Sequence, residues 1–188
     1  MPFKFHELDL PGLILVEPSI FADDRGAFAE TYRFSDFEAH GIPTAFVQDN
    51  WSLSKRGVLR GMHYQNYPKA QGKLVSVSRG EIYDVVIDLR PESLSYMKWR
   101  SICLSAQNRQ QLYVPRGFAH GFCVLSDEAE VTYKVTAEYE PSLEKGVAWN
   151  DPEIGVKWPT DEPILSSRDR KLPCWQEARL SFSHRGDN

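Results

Sequence analysis

The chain has 188 residues, 41% hydrophobic and 12% aromatic, which supplies one domain with a core and argues against global disorder. Charged residues make up 26% and the net charge is −4, which argues against bulk nucleic-acid or membrane-surface binding yet leaves room for a locally basic pocket. The longest early apolar run, Leu13-Ile14-Leu15-Val16, is too short to span a bilayer, and three cysteines (Cys103, Cys123, Cys174) without a CxxC spacing read as reduced thiols, so a cytoplasmic protein is expected.

In chain order, residues 1–12 read as an N-terminal arm and Leu13 to Glu17 as a strand. Phe21 to Gly26 is a charged turn leading into a strand over Ala27 to Tyr32. Phe34 to His40 predicts one or two helical turns, with Ser35 as N-cap and Gly41 just past the end. Phe46 to Trp51 is extended, Lys55 to Gly57 turns, and Val58 to Gln65 is a strand. Lys73 to Arg79 and Glu81 to Leu89 are β-branched runs around Arg79-Gly80 and predict a hairpin. Strands follow at Lys98 to Leu104 and Gln111 to Val114. Ala119 to Leu125 and Glu130 to Thr136 are expected to pair across Ser126-Asp127-Glu128. Beyond Glu138, prolines break the pattern into loops and short helices, and 181–188 reads as a polar, frayed tail. Many short strands with turn signals between them predict an all-β sandwich or barrel with short peripheral helices, as one domain over residues 1–188.

The stretch Leu59 to Gln65 sets a geometric problem. Strand side chains alternate, so Leu59, Gly61 and His63 share one face and Arg60, Met62 and Tyr64 the other. Arg60 and His63 reach one site only if the strand is distorted near Gly61, where a bulge costs least. A single strand histidine is more often a packing or surface residue than a catalyst, but Arg60, Lys73 and His120 lie in the same β framework. Lys73 opens an apolar strand, either snorkelling from its end or pointing inward. Tyr133 is a packing phenol or a proton donor facing a histidine. Asp169, three residues after Ser166, reads first as part of a helix cap and second as a carboxylate orienting an imidazole. Arg25, Arg60, Lys73 and Arg116 are candidates for lining an anionic site.

Pro115 to His120 has the P-x-G-x-x-H spacing that resembles the second cupin motif, a jelly-roll signature. The first motif would fall on His63-Tyr64-Gln65, where a glutamine replaces the second histidine and the acid is missing. Two imidazoles alone make a poor divalent-metal site, so no metal is expected, and His120 reads as a pocket wall or a hydrogen-bonded core histidine. Two function classes follow: an acid/base enzyme, or a non-catalytic jelly roll that binds a small molecule such as a sugar or a nucleotide. Pairing His63 with Tyr133 favours the enzyme, since a binder needs no acid/base set.

Phe46 to Asn50, Arg56 to Gln65, Ala70 to Val75 and Pro115 to Phe122 together closely resemble the dTDP-4-dehydrorhamnose 3,5-epimerase family. The likeness runs from Leu13 to Pro173, with Asp23 to Gly26, Trp158-Pro159 and Ser166 to Asp169 in matching order. It implies a cupin jelly roll without metal or organic cofactor, and a homodimer with exchanged N-terminal strands. It implies epimerisation of dTDP-4-dehydro-6-deoxy-D-glucose at C3 and C5; some relatives invert a single carbon of related keto sugars. By this resemblance His63 is the base, Asp169 its dyad partner, Tyr133 the opposite-face proton donor, and Lys73 the cation near the enolate oxygen. Arg25, Phe28, Glu30, Gln48, Asn50, Arg60, His120 and Tyr139 match substrate-binding positions, with Tyr139 near the nucleotide base. Arg25, Phe28 and Glu30 are expected from the neighbouring chain. Trp51 stands where the family often has histidine, and Met62 replaces a frequent leucine.

Overall fold

A computed structural model describes residues 2–42 and 45–183; the last residues of the expected tail, 184–188, lie outside them. The strands are β1 (Phe3–Glu7), β2 (Ile14–Pro18), β3 (Phe21–Asp23), β4 (Gly26–Phe28), β5 (Gln48–Lys55), β6 (Leu59–Gln65), β7 (Lys73–Arg79), β8 (Glu81–Asp88), β9 (Trp99–Ser105), β10 (Gln111–Val114), β11 (Phe118–Val124), β12 (Glu128–Val135) and β13 (Glu144–Gly146). Helices α1 (Phe34–Ala39) and α2 (Trp175–Ala178) are short, as are 3-10 turns at Asp169–Lys171 and Arg179–Ser181. A six-stranded sheet runs β1-β2-β10-β7-β12-β5 and a five-stranded sheet runs β13-β6-β11-β8-β9. The all-β, cupin-like jelly-roll expectation holds, with helix only at the periphery.

Both expected hairpins are corrected. β7 and β8 do not pair: β7 lies between β10 and β12, while β8 lies between β11 and β9. β11 and β12 likewise belong to different sheets. The turns at Gly80 and Ser126-Asp127 are corners that carry the chain from one sheet to the other. Ser126 locks them together, accepting from the Glu81 N–H at 2.8 Å and donating to the Glu128 carbonyl at 2.7 Å. A β-branched run flanking a short turn specifies two strands and a reversal, but it does not say which sheet each strand joins.

The expected arm is also corrected, because Phe3–Glu7 is a strand paired antiparallel to β2. Phe3 packs edge-on against the buried Phe37 of α1, with ring centroids 5.2 Å apart. The helix starts at Phe34 as expected, but its N-cap is Arg33, two residues before the expected Ser35, with no capping side chain, so Ser35 lies within it. The strand expected over 27–32 stops at Phe28.

Alternation places the core. Val75 and Val77 of β7, Ala129 and Val131 of β12, Ile82 and Val86 of β8, and Phe118, Phe122 and Val124 of β11 meet between the sheets. The other face of β6, β8 and β11 (Met62, Tyr64, Val85, Ile87, Ala119) packs under the C-terminal segment around Trp175. Each of these strands therefore has an apolar residue on both faces, and any polar side chain on the inter-sheet face is conspicuous.

Candidate active site

The polar positions on that inter-sheet face cluster at one end. Lys73 is in phase with Val75 and Val77, Tyr133 with Val131, Asp84 with Ile82 and Val86, and His120 with Phe118 and Phe122. On β5 the accessibility alternates cleanly and turns Gln48, Asn50, Ser52 and Ser54 inward.

β6 reaches the same face twice because it is bulged. His63 is the partner of His120, but Arg60 is the partner of Phe122, so three steps on β6 oppose two on β11. The extra residue falls at Gly61-Met62 and cancels the alternation that would separate Arg60 from His63. Gly61 has φ +129°, and an added Cβ would sit 2.6 Å from Gly121 Cα. Met62 and Tyr64 turn to the opposite, apolar side. The distortion anticipated near Gly61 is present, and it delivers both side chains to one cavity of about 560 Å³ lined also by Asn50, Lys73, His120 and Tyr133. An adjoining cavity of about 340 Å³ shares His63, Lys73, Tyr133, Glu144 and Arg168 with it and adds Gln48 and Tyr139.

Asp169 arrives from the far end of the sequence. The returning chain is laced to β6: Ile164 N–H donates to Gly57 O at 2.8 Å, and Leu59 N–H donates to Ile164 O at 3.0 Å. Ser166 Oγ then accepts from Asp169 N–H at 3.0 Å, a capping-type contact, but the 3-10 turn itself begins at Asp169 with Arg168 as its N-cap, so the expected N3 placement of Asp169 is corrected. The same carboxylate also meets the imidazole: Asp169 Oδ1 lies 2.7 Å from His63 Nε2 and is only 5% exposed. An ionised carboxylate only accepts, so Nε2 carries the shared proton and Nδ1 of His63 is left as the ring nitrogen able to accept one. Burial alone would raise the Asp169 carboxyl; the His63 hydrogen bond and charge, Ser166 and Arg168 outweigh it and hold it below its ordinary value.

Lys73 does not snorkel. It is 8% exposed, and Nζ donates to His63 O at 3.4 Å. Burial lowers its ammonium from 10.5 to about 8, against the opposing pull of Glu144 and Asp84. Tyr133 is raised above its ordinary value, first by burial and then by the Glu144 charge, with Arg60 opposing, so its proton is retained at neutral pH. The set thus presents an oriented imidazole, a protonated phenol and a buried ammonium to one space, the parts needed to take a proton from carbon, return one, and hold an oxyanion between.

Arg60 is steadied by Nε donating to Ser54 Oγ at 3.0 Å. Gln48 Nε2 donates to Asn50 Oδ1 at 2.8 Å, and Gln48 Oε1 accepts from Tyr139 N–H at 2.8 Å. Glu144, on a strand that sequence reasoning missed, accepts from Tyr139 Oη at 2.5 Å and pairs with Arg168 at 2.7 Å. Neither Glu144 nor Asp84 was singled out. Only the in-phase spacing of Asp84 between Ile82 and Val86 signals an inward carboxylate. Arg116, a candidate for the anionic site, is not among the residues lining either cavity. Arg25 and Phe28 stand elsewhere, on the separate β3–β4 hairpin, the Arg25 side chain 90% exposed and Phe28 66%. Glu30 follows that hairpin and pairs with Arg33 at 2.5 Å.

The sequence profile of dTDP-4-dehydrorhamnose 3,5-epimerase matches residues 7–177. The chain belongs to the dTDP-4-dehydrorhamnose 3,5-epimerase family. It is 47% identical over 180 residues to the dTDP-4-dehydrorhamnose 3,5-epimerase of Methanothermobacter thermautotrophicus, covering 94% of this chain and 95% of that one. It is similar to the Bacillus anthracis enzyme solved with TDP and PPi, at TM-score 0.89 and 47% identity over 92% of this chain and 99% of that one. It is also similar to the Legionella pneumophila epimerase solved with dTDP-4-keto-L-rhamnose, at TM-score 0.92 and 37% identity over 98% and 99% of the two chains. The resemblance read from four sequence motifs therefore extends over nearly the whole fold of this epimerase-family chain.

Proposed function

We propose that the protein epimerises dTDP-4-dehydro-6-deoxy-D-glucose at C3 and C5 to dTDP-4-dehydro-L-rhamnose, without metal or organic cofactor. The observation that carries this reading is the convergence of the His63–Asp169 dyad, Tyr133 and Lys73 on one cavity. The hydrogens at C3 and C5 are both alpha to the C4 ketone. His63 Nδ1 takes one of them as a proton, and the C–H electron pair moves to O4 as an enolate. The Lys73 ammonium stabilises that oxygen. Tyr133 returns a proton to the opposite face of the carbon, which inverts it. Arg60 serves the diphosphate, with Gln48, Asn50 and His120 holding the sugar and Tyr139 the base. Incubation of the purified protein with the dTDP-keto sugar in D₂O, followed by NMR, tests this. Deuterium at both carbons in a rhamno-configured product, undiminished by EDTA, is expected. Inversion at one carbon supports a mono-epimerase, binding without exchange supports a non-catalytic cupin, and loss of rate restored by Zn²⁺ or Fe²⁺ overturns the metal-free reading.

Lys73 ties rate to pH. Its proton leaves the folded protein near pH 8 but the unfolded chain near 10.5, so the unfolded state binds more protons across that interval and stability rises there with pH. The enolate loses its cation over the same interval. An alkaline limb in kcat/KM near pH 8 is expected while thermal stability holds or increases. Lys73→Met removes that limb and lowers kcat by ~10²-fold; an unchanged pH profile in the variant overturns the assignment.

The active unit is a homodimer in the cytoplasm. In support, β1 and β2 remain on their own sheet, whereas the β3–β4 hairpin bonds to neither sheet and exposes Phe21 and Phe28. The edge strand β5 exposes Trp51 and Leu53. The hairpin is therefore the segment suited to bring Arg25, Phe28 and Glu30 to a neighbouring cavity. The three cysteines are free thiols, as a reducing compartment keeps them. Co-expressed Arg25→Ala and His63→Asn chains, each nearly inactive alone, are expected to recover about a quarter of wild-type turnover through mixed dimers with one intact composite site; no recovery means that Arg25 serves its own cavity or none.

A further inference from the structure

His120 is built into the cavity the way His63 is. Its Nε2 lies 2.8 Å from Asp84 Oδ2, and its Nδ1 has no hydrogen-bond partner among the described residues. The two histidines are register partners across β6 and β11 and line the same space. Asp84 stands behind His120 as Asp169 stands behind His63, but it is more deeply placed: it is 0% exposed and its second oxygen, Oδ1, is buried without a partner. Its in-phase neighbours on β8, Ile82 and Val86, belong to the apolar core. A carboxylate there costs the fold, because a buried charge with half of its acceptor capacity unmet is poorly compensated, and an apolar side chain would continue the packing of Ile82 and Val86. The facing strands bring Arg60, His63, Lys73, His120, Tyr133 and Glu144 around the same cavity; Asp84 does not line it but lies directly behind His120, close enough for its charge to act on Lys73.

We propose that Asp84 is a positioning residue for the epimerisation: it binds the Nε2–H of His120 and thereby presents Nδ1 of that ring to the sugar beside the C4 ketone. This inference rests on the epimerase reading. No bond to carbon is made or broken by the pair. Asp84 remains an acceptor, Nδ1 of His120 hydrogen-bonds the oxygen substituents of the ring, and the protons at C3 and C5 still pass through His63 and Tyr133. Two adjacent dyads thus divide the work: one moves protons, and the other fixes the sugar so that each carbon in turn meets Nδ1 of His63.

Asp84→Asn keeps the size of the side chain and an oxygen acceptor while removing the charge. It is expected to lower kcat about 10- to 100-fold, with KM within about threefold of wild type and an unfolding temperature no lower than wild type. In a His120→Gln background the same substitution changes kcat by less than about twofold, because its effect runs through the ring that has been removed. An equal penalty in both backgrounds overturns the proposal. An independent readout needs neither turnover nor the variant. Long-range ¹H–¹⁵N spectra of the wild-type protein at alkaline pH are expected to find the neutral His120 ring protonated on Nε2; protonation on Nδ1 overturns the proposal even where Asp84→Asn fails to fold. Absence of exchange by the wild-type protein itself would sink the epimerase reading and leave the tautomer result to stand on its own.

Discussion

Replacing His63 by Asn abolishes solvent exchange at both C3 and C5, lowering turnover by ~10³-fold or more, because the amide cannot accept the proton and the other imidazole of the cavity, His120, is assigned to holding the sugar. The effect is confined to chemistry. His63 is partly exposed and bonds only Asp169 through its ring, so the fold loses one hydrogen bond and keeps its packing. Binding of dTDP, which we have proposed to rest on Arg60 and the Tyr139 end of the cavity, is expected to stay within about threefold of wild type, since the lost interaction belongs to the transition state. Stopped exchange with retained dTDP affinity, measured by calorimetry, is the expected pair of results. Near-normal turnover would remove His63 from the role of base. Asp169→Asn is the milder counterpart: the amide can orient the ring but cannot stabilise the imidazolium formed when His63 takes the proton.

Gly61→Ala is expected to damage both stability and activity although Gly61 contacts no substrate. At φ +129° an L-residue is strained, and the new Cβ would lie 2.6 Å from Gly121 Cα and 3.0 Å from His120 O, both backbone atoms that cannot swing away. A cost of about 3 kcal/mol or more follows, which for a chain of this size lowers Tm by roughly 6–12 °C. Relief comes most easily by straightening β6, and a regular strand returns Arg60 and His63 to opposite faces. Turnover should therefore fall by ~10²-fold even at temperatures where the variant is fully folded. Met62→Leu is the control: Met62 is fully buried on the opposite face, and a volume-conserving change there costs less than about 1.5 kcal/mol with activity intact. A Gly61→Ala protein with wild-type Tm and turnover would show that the bulge is not what joins the two side chains.

These two positions also separate what was legible in the chain from what was not. His63, Lys73, Tyr133 and Asp169 were readable as candidates because each is a polar residue in or beside an apolar pattern, or matches a family motif. Which face Lys73 and Tyr133 take was left open until the sheets were seen to close over them. Arg60 was readable only as a conflict, since strict alternation set it against His63. Asp84 escaped notice because a carboxylate between β-branched residues looks like the solvent side of a half-exposed strand until the strand is seen to be covered on both faces. Glu144 lay in a segment whose prolines and charges read as loop. The two expected hairpins failed for a related reason: turn chemistry at Gly80 and Ser126 is the same whether the strands pair or part.

By itself, the sequence determined the all-β class, the position of most strands, the candidacy of His63, Lys73 and Tyr133, and the family. All of these follow from short-range rules, the two-residue period of a strand and local motif spacing, which hold whatever the rest of the chain does. The tertiary structure alone decided which strands are neighbours, how the bulge at Gly61 brings Arg60 round to the face of His63, and that Asp169, more than a hundred residues away, donates its N–H to Ser166 Oγ while its carboxylate meets the imidazole. Those outcomes depend on β11 lying against β6 and on the returning chain being laced to its edge. They are set by pairing between distant segments, which no window along the sequence contains.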